Sequence, residues 1–496
     1  MNSDGGKVTS LRMSRKNGVG KLIRNTLSVI VLVFIDLVSL YVIIKIARYL
    51  RLQILPEIYA GFPSEIPFRN FWRVWWIFPT WTFFFWYEGL YTKRFSLWDE
   101  VLALWKASFF STVGIFTLVS VGKLGFDISR TTVILTGLLS IAALPPVRFI
   151  AKRSFRRFGL FTRRVLILGA GSTGQLMLRA LRKEPNYGYD VVGFLDDDPA
   201  KVGSRIDGLK VHRGVNRAVS YLRACNITDV IIAMPGIGKE KVTHLINSLQ
   251  HKVERIMFVP DIHGIAVIGT SLQHFFHEQA FALELKNNLA RPVNILIKRC
   301  FDIVVGLLLL PFVLFSMFII GILIKFDSPG PVIFSQERLG KRGSTFRCMK
   351  FRTMFIDAEE RLTAILGSDP DARQEWEKYY KLKDDPRVTR VGKLLRAASL
   401  DELPQLFHVL SGTMSLVGPR PVTQNEISIY YKEAADLCFS VPPGITGLWQ
   451  VTGRSGISYD YRVGLDSWYV RNWNVWLDIV ILFKTAAVVI RREGAW

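Results

Sequence analysis

Disulfide-forming capacity is the first thing this chain lacks. Its 496 residues include four cysteines, Cys225, Cys300, Cys348 and Cys438, and no two have CxxC spacing. A disulfide framework and a cysteine zinc site are excluded; scattered thiols read as small buried hydrophobes in a reducing compartment. Histidine is scarce at seven, and His408 is the only one after residue 277, so the C-terminal half offers no histidine-based triad. His274 and His277 are spaced to share one helical turn, but two histidines alone do not make a metal site. Acids are also short: 41 Asp and Glu face 64 Lys and Arg, a net charge of +23. With 50% hydrophobic residues, 12% aromatics and a mean hydropathy of +0.24, disorder is excluded. A basic, apolar chain points to an anionic partner at a membrane, and its long apolar runs argue against nucleic acid.

Four apolar stretches fill residues 1–159: Thr26–Ile46, Phe71–Leu90, Val101–Val121 and Thr131–Pro146. The first has the roughly 20 residues that a bilayer span needs. No small-residue cleavage site follows it, so it reads as a retained anchor. Basic residues from Lys7 to Arg24 precede the first stretch, and others from Arg148 to Arg164 follow the fourth. The positive-inside rule then predicts four spans with both ends in the cytoplasm. Asp36 and Glu88, inside spans, read as helix–helix hydrogen-bonding residues.

Residues 160–286 change to an α/β pattern. A buried strand, Val165–Leu168, runs into Gly169-Ala-Gly171-Ser-Thr-Gly174 and a helix over Gln175–Arg182. A second strand ends at Asp196, about 20 residues past the glycines, where a dinucleotide fingerprint places its acid. Further strands are predicted at Asp229–Met234 and Arg255–Val259. The result is a Rossmann-like parallel module that either binds a nucleotide through Gly169, Gly171, Gly174 and Asp196 or merely packs. Its tyrosines, Tyr187, Tyr189 and Tyr221, lack the Lys four residues on that a short-chain dehydrogenase needs.

The third segment, 287–496, opens with an apolar run, Ile303–Ile324, that carries Pro311 near its middle and basic residues on both flanks. A plain span would carry one basic flank outside, and a mid-run proline breaks or kinks a helix. The expectation is a helix-break-helix, about 294–326, that enters and leaves by one membrane face. Near the C-terminus, Trp468, Trp473, Trp476, Ile479, Val480 and Phe483 recur at helical spacing, as in an amphipathic interfacial helix or a buried core helix.

Between these elements lie arginines beside Gly/Pro-rich turns: Arg338, Lys350-Phe-Arg352, Asp385-Pro-Arg387, Arg396, Gly418-Pro-Arg420-Pro421 and Gly453-Arg454. Guanidinium forks held by turns are suited to gripping phosphate oxygens. Among them sit Asp401 and Glu402. Ser399-x-x-Glu402 also reads as a capping box, with both acids complementing a helix dipole. The chemical reading makes Asp401 a nucleophilic carboxylate, kept ionised by arginines and a helix N-terminus, and gives Glu402 a share in holding a divalent cation.

Residues 291–496 resemble the bacterial sugar transferase family, the large monotopic phosphoglycosyl transferases. The motifs are Lys298-Arg299-x-x-Asp302, Asp327-Ser-Pro-Gly-Pro331, Lys350-Phe-Arg-Thr-Met354, Ser399-Leu-Asp-Glu-Leu-Pro-Gln405 and Gly418-Pro-Arg-Pro421. The stretch from Leu465-Asp466 to Arg491-Arg492 matches too. The resemblance implies transfer of hexose-1-phosphate, galactose-1-phosphate in the subgroup concerned, from a UDP-sugar to undecaprenyl phosphate with release of UMP. Asp401 would form a covalent phosphosugar intermediate and Glu402, beside Asp401, would hold Mg²⁺. Arg338, Lys350, Arg396, Arg420 and Pro421 match positions tied to activity or phosphate binding. A homodimer in the bacterial inner membrane, with the catalytic domain on its cytoplasmic face, is also implied. The expected fold is a membrane protein, α plus α/β: four transmembrane helices, the Rossmann-like module, and a mainly α monotopic domain with a proline-broken re-entrant helix. Two alternatives stay open: an NAD-dependent nucleotide-sugar-modifying enzyme centred on the glycine-rich loop, and a nucleotide-binding membrane sensor.

Overall fold

The computed structural model describes residues 4–59, 75–122, 128–225, 227–260, 271–275, 280–284, 288–369, 373–374, 382, 385–452 and 458–491. The chain forms two compact units, 1–262 and 263–496.

In the first unit, helices α1 (Asp4–Tyr49), α2 (Ile77–Tyr87), α3 (Leu97–Val121) and α4 (Arg130–Phe155) pack around Leu40, Trp81, Phe85, Leu104 and Leu144. The Ser96 side chain caps α3 by accepting from the Asp99 N–H at 3.1 Å. Three helices here are long and apolar enough to cross a membrane: Thr26–Ile58, Leu97–Val121 and Arg130–Phe158. The expected second span is not among them. Its described part, α2, has 11 residues, and Trp81 and Phe85 are spent on the helix bundle. Phe71–Val74 lie outside the described residues.

A buried ionic network joins the helices. Arg148 of α4, 1% exposed, forks onto Asp36 of α1 with Nε to Oδ1 at 2.8 Å and Nη2 to Oδ2 at 2.5 Å. Its Nη1 donates to Glu100 of α3 at 3.2 Å, and Lys152 Nζ donates to the same Oε1 at 2.6 Å. The expected helix–helix role of Asp36 holds. Arg148 and Lys152 do not flank the helix as expected. α4 continues to Phe155, which places them inside it as partners of buried acids. Glu88 falls at the C-cap of α2.

The α/β part of this unit is a six-stranded sheet in the order β3-β4-β2-β1-β5-β6. Its strands are β1 (Arg163–Leu168), β2 (Tyr189–Asp196), β3 (Arg205–Ile206), β4 (Leu209–Arg213), β5 (Asp229–Ile232) and β6 (Arg255–Phe258). All pairings are parallel except the β3–β4 hairpin. β1 lies between β2 and β5, so the chain reverses its direction of sheet growth there and the glycine-rich loop opens at the switch point. The loop feeds helix α5 (Ser172–Lys183). A side chain on Gly174 would strike the Gly169 carbonyl at 2.0 Å, so the close fit of helix to strand requires glycine.

In the second unit, a hairpin of β7 (Ser271–Phe275) and β8 (Ala280–Glu284) precedes α6 (Pro292–Asp327). His274 is therefore on a strand and not on a helical turn; His277 lies outside the described residues. The expected break at Pro311 is absent, since α6 runs as one helix with Pro311 inside it. Both of its ends pack on this unit. Near its start, Lys298 Nζ bonds Asp302 at 3.1 Å and Asp478 at 2.8 Å, and Asp302 accepts from the Ser415 hydroxyl at 2.8 Å. Near its end, Ile320 and Ile324 bury against Phe351 and Leu395. Between them, Leu308, Phe312, Phe315 and Phe318 point outward, each at least two-thirds exposed.

The rest of the unit is built on the antiparallel pair β9 (Ile333–Leu339) and β10 (Thr345–Phe351) and on short helices α7 (Arg390–Ala397) and α8 (Leu406–Ser411). A parallel pair, β11 (Ser415–Val417) and β12 (Gly444–Thr446), follows, with α9 (Tyr459–Asn472) and α10 (Val475–Arg491). The C-terminal aromatic stretch is thus two helices. Trp473, Val480 and Ile481 are core, while Phe483 is exposed.

Candidate active site

Asp401 and Glu402 stand on a 3-10 turn, Leu400–Gln405, entered through Ser399 at φ 53°. The expected capping box at Ser399 does not form, because this left-handed residue makes no side-chain cap. The box that does form is Thr423 with Glu426. Across from the acids, β10 presents Lys350, whose Nζ donates to Glu402 Oε1 at 2.6 Å and lies 3.9 Å from Asp401 Oδ2.

Register places Arg338 of β9 opposite Phe346 of β10. Side chains alternate along a strand, so Arg338, Phe346, Cys348 and Lys350 share one face. Cys348 is buried there, and Lys350, Glu402, Arg338 and Arg420 all act electrostatically on its thiol, which burial pushes up. A thiol so raised is not a nucleophile. Arg338 and Lys350 on one strand face, and Glu402 bonded to Lys350, bring three separate motifs together.

Asp401 is largely buried, with 15% of its side chain exposed. Burial raises its carboxyl above the ordinary carboxylate range; Lys350 pulls down, Glu402 adds to the rise, and Arg396 pulls down. Desolvation thus sets the direction of the shift, against the pull of Lys350 and Arg396. Arg396 Nε donates to Thr353 Oγ1 at 2.9 Å, which holds it beside the acid.

The other expected phosphate ligands divide by partner. Arg338 reaches Glu426 at 3.4 Å and Gln336 at 2.9 Å, and Arg420 is exposed over the Trp449 ring at 5.6 Å. Pro421 follows at the partly exposed end of that turn. Arg352 is taken up internally. Its guanidinium bonds the carbonyls of Ser328 and Pro329 at 2.7 and 2.6 Å, and a side chain on Gly330 would meet it at 2.1 Å. Arg387 forks onto Asp385 at 2.8 and 2.7 Å. Both guanidiniums are buried and shape loops. Arg454 lies outside the described residues.

The sequence did not single out Thr353, Glu426 or Tyr459 as site residues. Tyr459 donates to Glu426 Oε1 at 2.7 Å, and Glu426 in turn holds Arg338. Thr423-x-x-Glu426 was readable as a cap; its link to Arg338 was not, because the two are 88 residues apart.

In the first unit, the Gly169–Gly174 loop is arranged as expected, with Gly169 at φ 101° and Gly171 capping α5. Asp196 turns back onto it and accepts from the Ala170 N–H at 2.7 Å.

The sequence profile described as "Bacterial sugar transferase" matches residues 293–492, and one described as "CoA-binding domain" matches 86–260. The chain is 38% identical over 410 residues to a UDP-galactose-lipid carrier transferase of Erwinia amylovora, covering 82% of this chain and 84% of that one. The chain belongs to the bacterial sugar transferase family. This sugar transferase is also 36% identical to the undecaprenyl-phosphate galactose phosphotransferase of Salmonella typhimurium, over 82% of this chain and 84% of the relative. A third relative, the exopolysaccharide production protein ExoY of Sinorhizobium fredii, is 42% identical over 218 residues. Those residues are 44% of the sugar transferase and 96% of that protein.

Proposed function

We propose that this enzyme transfers a hexose-1-phosphate, galactose-1-phosphate in the first instance, from a UDP-sugar to undecaprenyl phosphate and releases UMP. The carrying observation is the Asp401–Glu402 pair, bridged by Lys350 on the strand face that also carries Arg338, with Arg396 acting on Asp401. Relatives named for a galactose-carrying lipid and for undecaprenyl phosphate support the substrate classes.

Asp401 attacks the sugar-bearing phosphorus; an O–P bond forms as the bond to UMP breaks, and the electron pair leaves on UMP. A phosphate oxygen of the lipid then attacks the same phosphorus, and Asp401 leaves as the carboxylate it began as. Lys350 and the arginines hold the phosphate oxygens through both steps. Two adjacent carboxylates, with no larger His/Cys/Asp/Glu cluster among the described residues, suit Mg²⁺, which completes its shell with substrate oxygens and water. Held by Glu402 with Asp401 beside it, Mg²⁺ would supply charge neutralisation on the diphosphate.

The lipid meets the site through α6. Two ends packed on one unit and an exposed apolar middle support a helix that stays helical but bends at Pro311, so that it enters and leaves by the same, cytoplasmic, membrane face. A cysteine placed after Ile324 should then react with impermeant reagents only from the cytoplasm; labelling from outside would restore a plain span.

The direct test supplies membranes carrying Asp401→Asn with UDP-galactose, Mg²⁺ and undecaprenyl phosphate. The expected loss of UMP release exceeds about 10³-fold, the scale of removing a nucleophile. Release at the wild-type rate would sink the reading, and a panel of UDP-sugars scored the same way identifies the donor.

A further inference from the structure

The last turns of α6 carry a groove that the chemistry above does not use. Met317, Phe318, Gly321, Lys325 and Phe326 fall on one side of the helix by its spacing, and Val332, just before β9, forms the facing wall. The groove holds about 520 Å³, and Lys325 is its one charged residue. From Met317 to Phe326 the helix rises about 14 Å, so the groove is long and narrow.

Its wall is continuous with the turn that carries the two acids. Met317 and Val332 pack on the cluster of Ile320, Ile324, Phe351 and Leu395, and Leu403 joins that cluster from the turn. Phe351 follows Lys350 and Leu403 follows Glu402, the pair bonded at 2.6 Å. One apolar cluster therefore backs both the groove and the site.

Two residues of the groove are not explained by packing. A side chain on Gly321 would meet nothing closer than Val332 Cγ1 at 3.6 Å, an ordinary contact, so the fold does not require glycine there. Glycine inside a helix is otherwise unfavourable, and here it leaves the groove open. Lys325 stands in the last turn of α6. At the other end of that helix Lys298 is buried between Asp302 and Asp478. Lys325 is exposed, and among the described residues no hydrogen bond or ion pair takes its ammonium. A single apolar trough with a cation at its end matches an amphiphile of one hydrocarbon chain and a phosphate head.

We propose that this groove seats the acceptor lipid: the first isoprene units of undecaprenyl phosphate lie along Gly321, between Phe318 and Val332, and Lys325 pairs with the phosphate on its approach to Asp401. The inference rests on the transferase reading of Asp401 and Glu402.

The test uses the full chain in membranes. Gly321→Leu fills the groove, and Lys325→Gln keeps the length of the side chain without its charge. Each should raise KM for undecaprenyl phosphate about tenfold, the second by losing one charge-assisted hydrogen bond. KM for UDP-galactose and the burst of UMP released without lipid should stay within about twofold of wild type, since the first half-reaction needs no acceptor. An unchanged lipid KM in either variant, or a burst that falls along with it, overturns the inference. If the wild type turns over no UDP-sugar, the transferase reading fails by itself, and labelling with a photoreactive undecaprenyl phosphate then decides. Label within residues 317–332, displaced by undecaprenyl phosphate at about tenfold lower concentration than by phosphatidylglycerol, supports the groove. Label elsewhere, or equal displacement by phosphatidylglycerol, overturns it.

Discussion

Burial and Lys350 pull the Asp401 carboxyl in opposite directions, and burial prevails. Folded Asp401 therefore keeps its proton to higher pH than it does in the unfolded chain. The native state loses stability as pH rises through that window. Asp401→Asn should then be inactive yet melt at a higher temperature than wild type at pH 7, with the difference shrinking on acidification. Calorimetric scans of both proteins across pH measure this; equal melting temperatures at pH 7 would count against a strained, functional carboxylate. Lys350→Met removes the cation that lowers Asp401. Its expected signature is a loss of about 10²-fold in kcat/KM and an acid limb moved to higher pH, read from pH–rate profiles.

At the scale of elements, α6 is held by charge where it enters the unit and by apolar packing where it leaves. Lys298 sits between Asp302 and Asp478, with Tyr469 and Trp473 donating to Asp478 at 2.7 and 3.1 Å. Arg299, one residue on, bonds the carbonyls of Val409 and Leu410 at the end of α8, close in sequence to the Asp401–Glu402 turn. The Lys298-Arg299-x-x-Asp302 motif thus ties a membrane element to the site. Lys298→Met leaves two acids buried and unpaired, and should cost about 3–5 kcal/mol. Thermal unfolding and protease sensitivity of the purified variant measure it, and a wild-type melting curve would show that the network is dispensable. The proline at position 311 stays within this helix although it cannot donate to the carbonyl four residues back.

At the scale of the whole molecule, each of the two units has buried ion pairs of its own. The first unit has a buried ionic lattice, Asp36–Arg148–Glu100–Lys152, and Glu100 also accepts from Asn186 of the α/β part at 2.8 Å. Arg94 adds donors to the carbonyls of Tyr187 and Gly188. The helices and the sheet of that unit are therefore joined by hydrogen bonds as well as by sequence. The Sinorhizobium fredii relative matches 218 residues of this chain over 96% of its own length, and the sugar transferase profile matches 293–492, inside the second unit. Residues 288–496 expressed alone in membranes should accordingly release UMP from the UDP-sugar; an insoluble or inactive fragment with an active full chain would assign the first unit a part in catalysis.

Periodicity and motif chemistry made the parallel sheet with its glycine loop, the basic flanks of α6 and the Asp401–Glu402 pair legible, because each is written in neighbouring residues. The reach of Phe71–Leu90, the course of the chain at Pro311 and the cap at Ser399 were not, since packing partners far along the chain set them. Among arginines the division is sharpest. Sequence by itself determined that Arg338, Arg352, Arg387, Arg396 and Arg420 recur in short basic motifs between residues 338 and 420. Only the tertiary structure decided that Arg352 and Arg387 are consumed by Ser328 and Asp385, while Arg396 acts on Asp401 and Arg338 shares a strand face with Lys350. The physical reason is that a guanidinium serves whichever oxygens folding brings within reach, and spacing along the chain does not encode that distance.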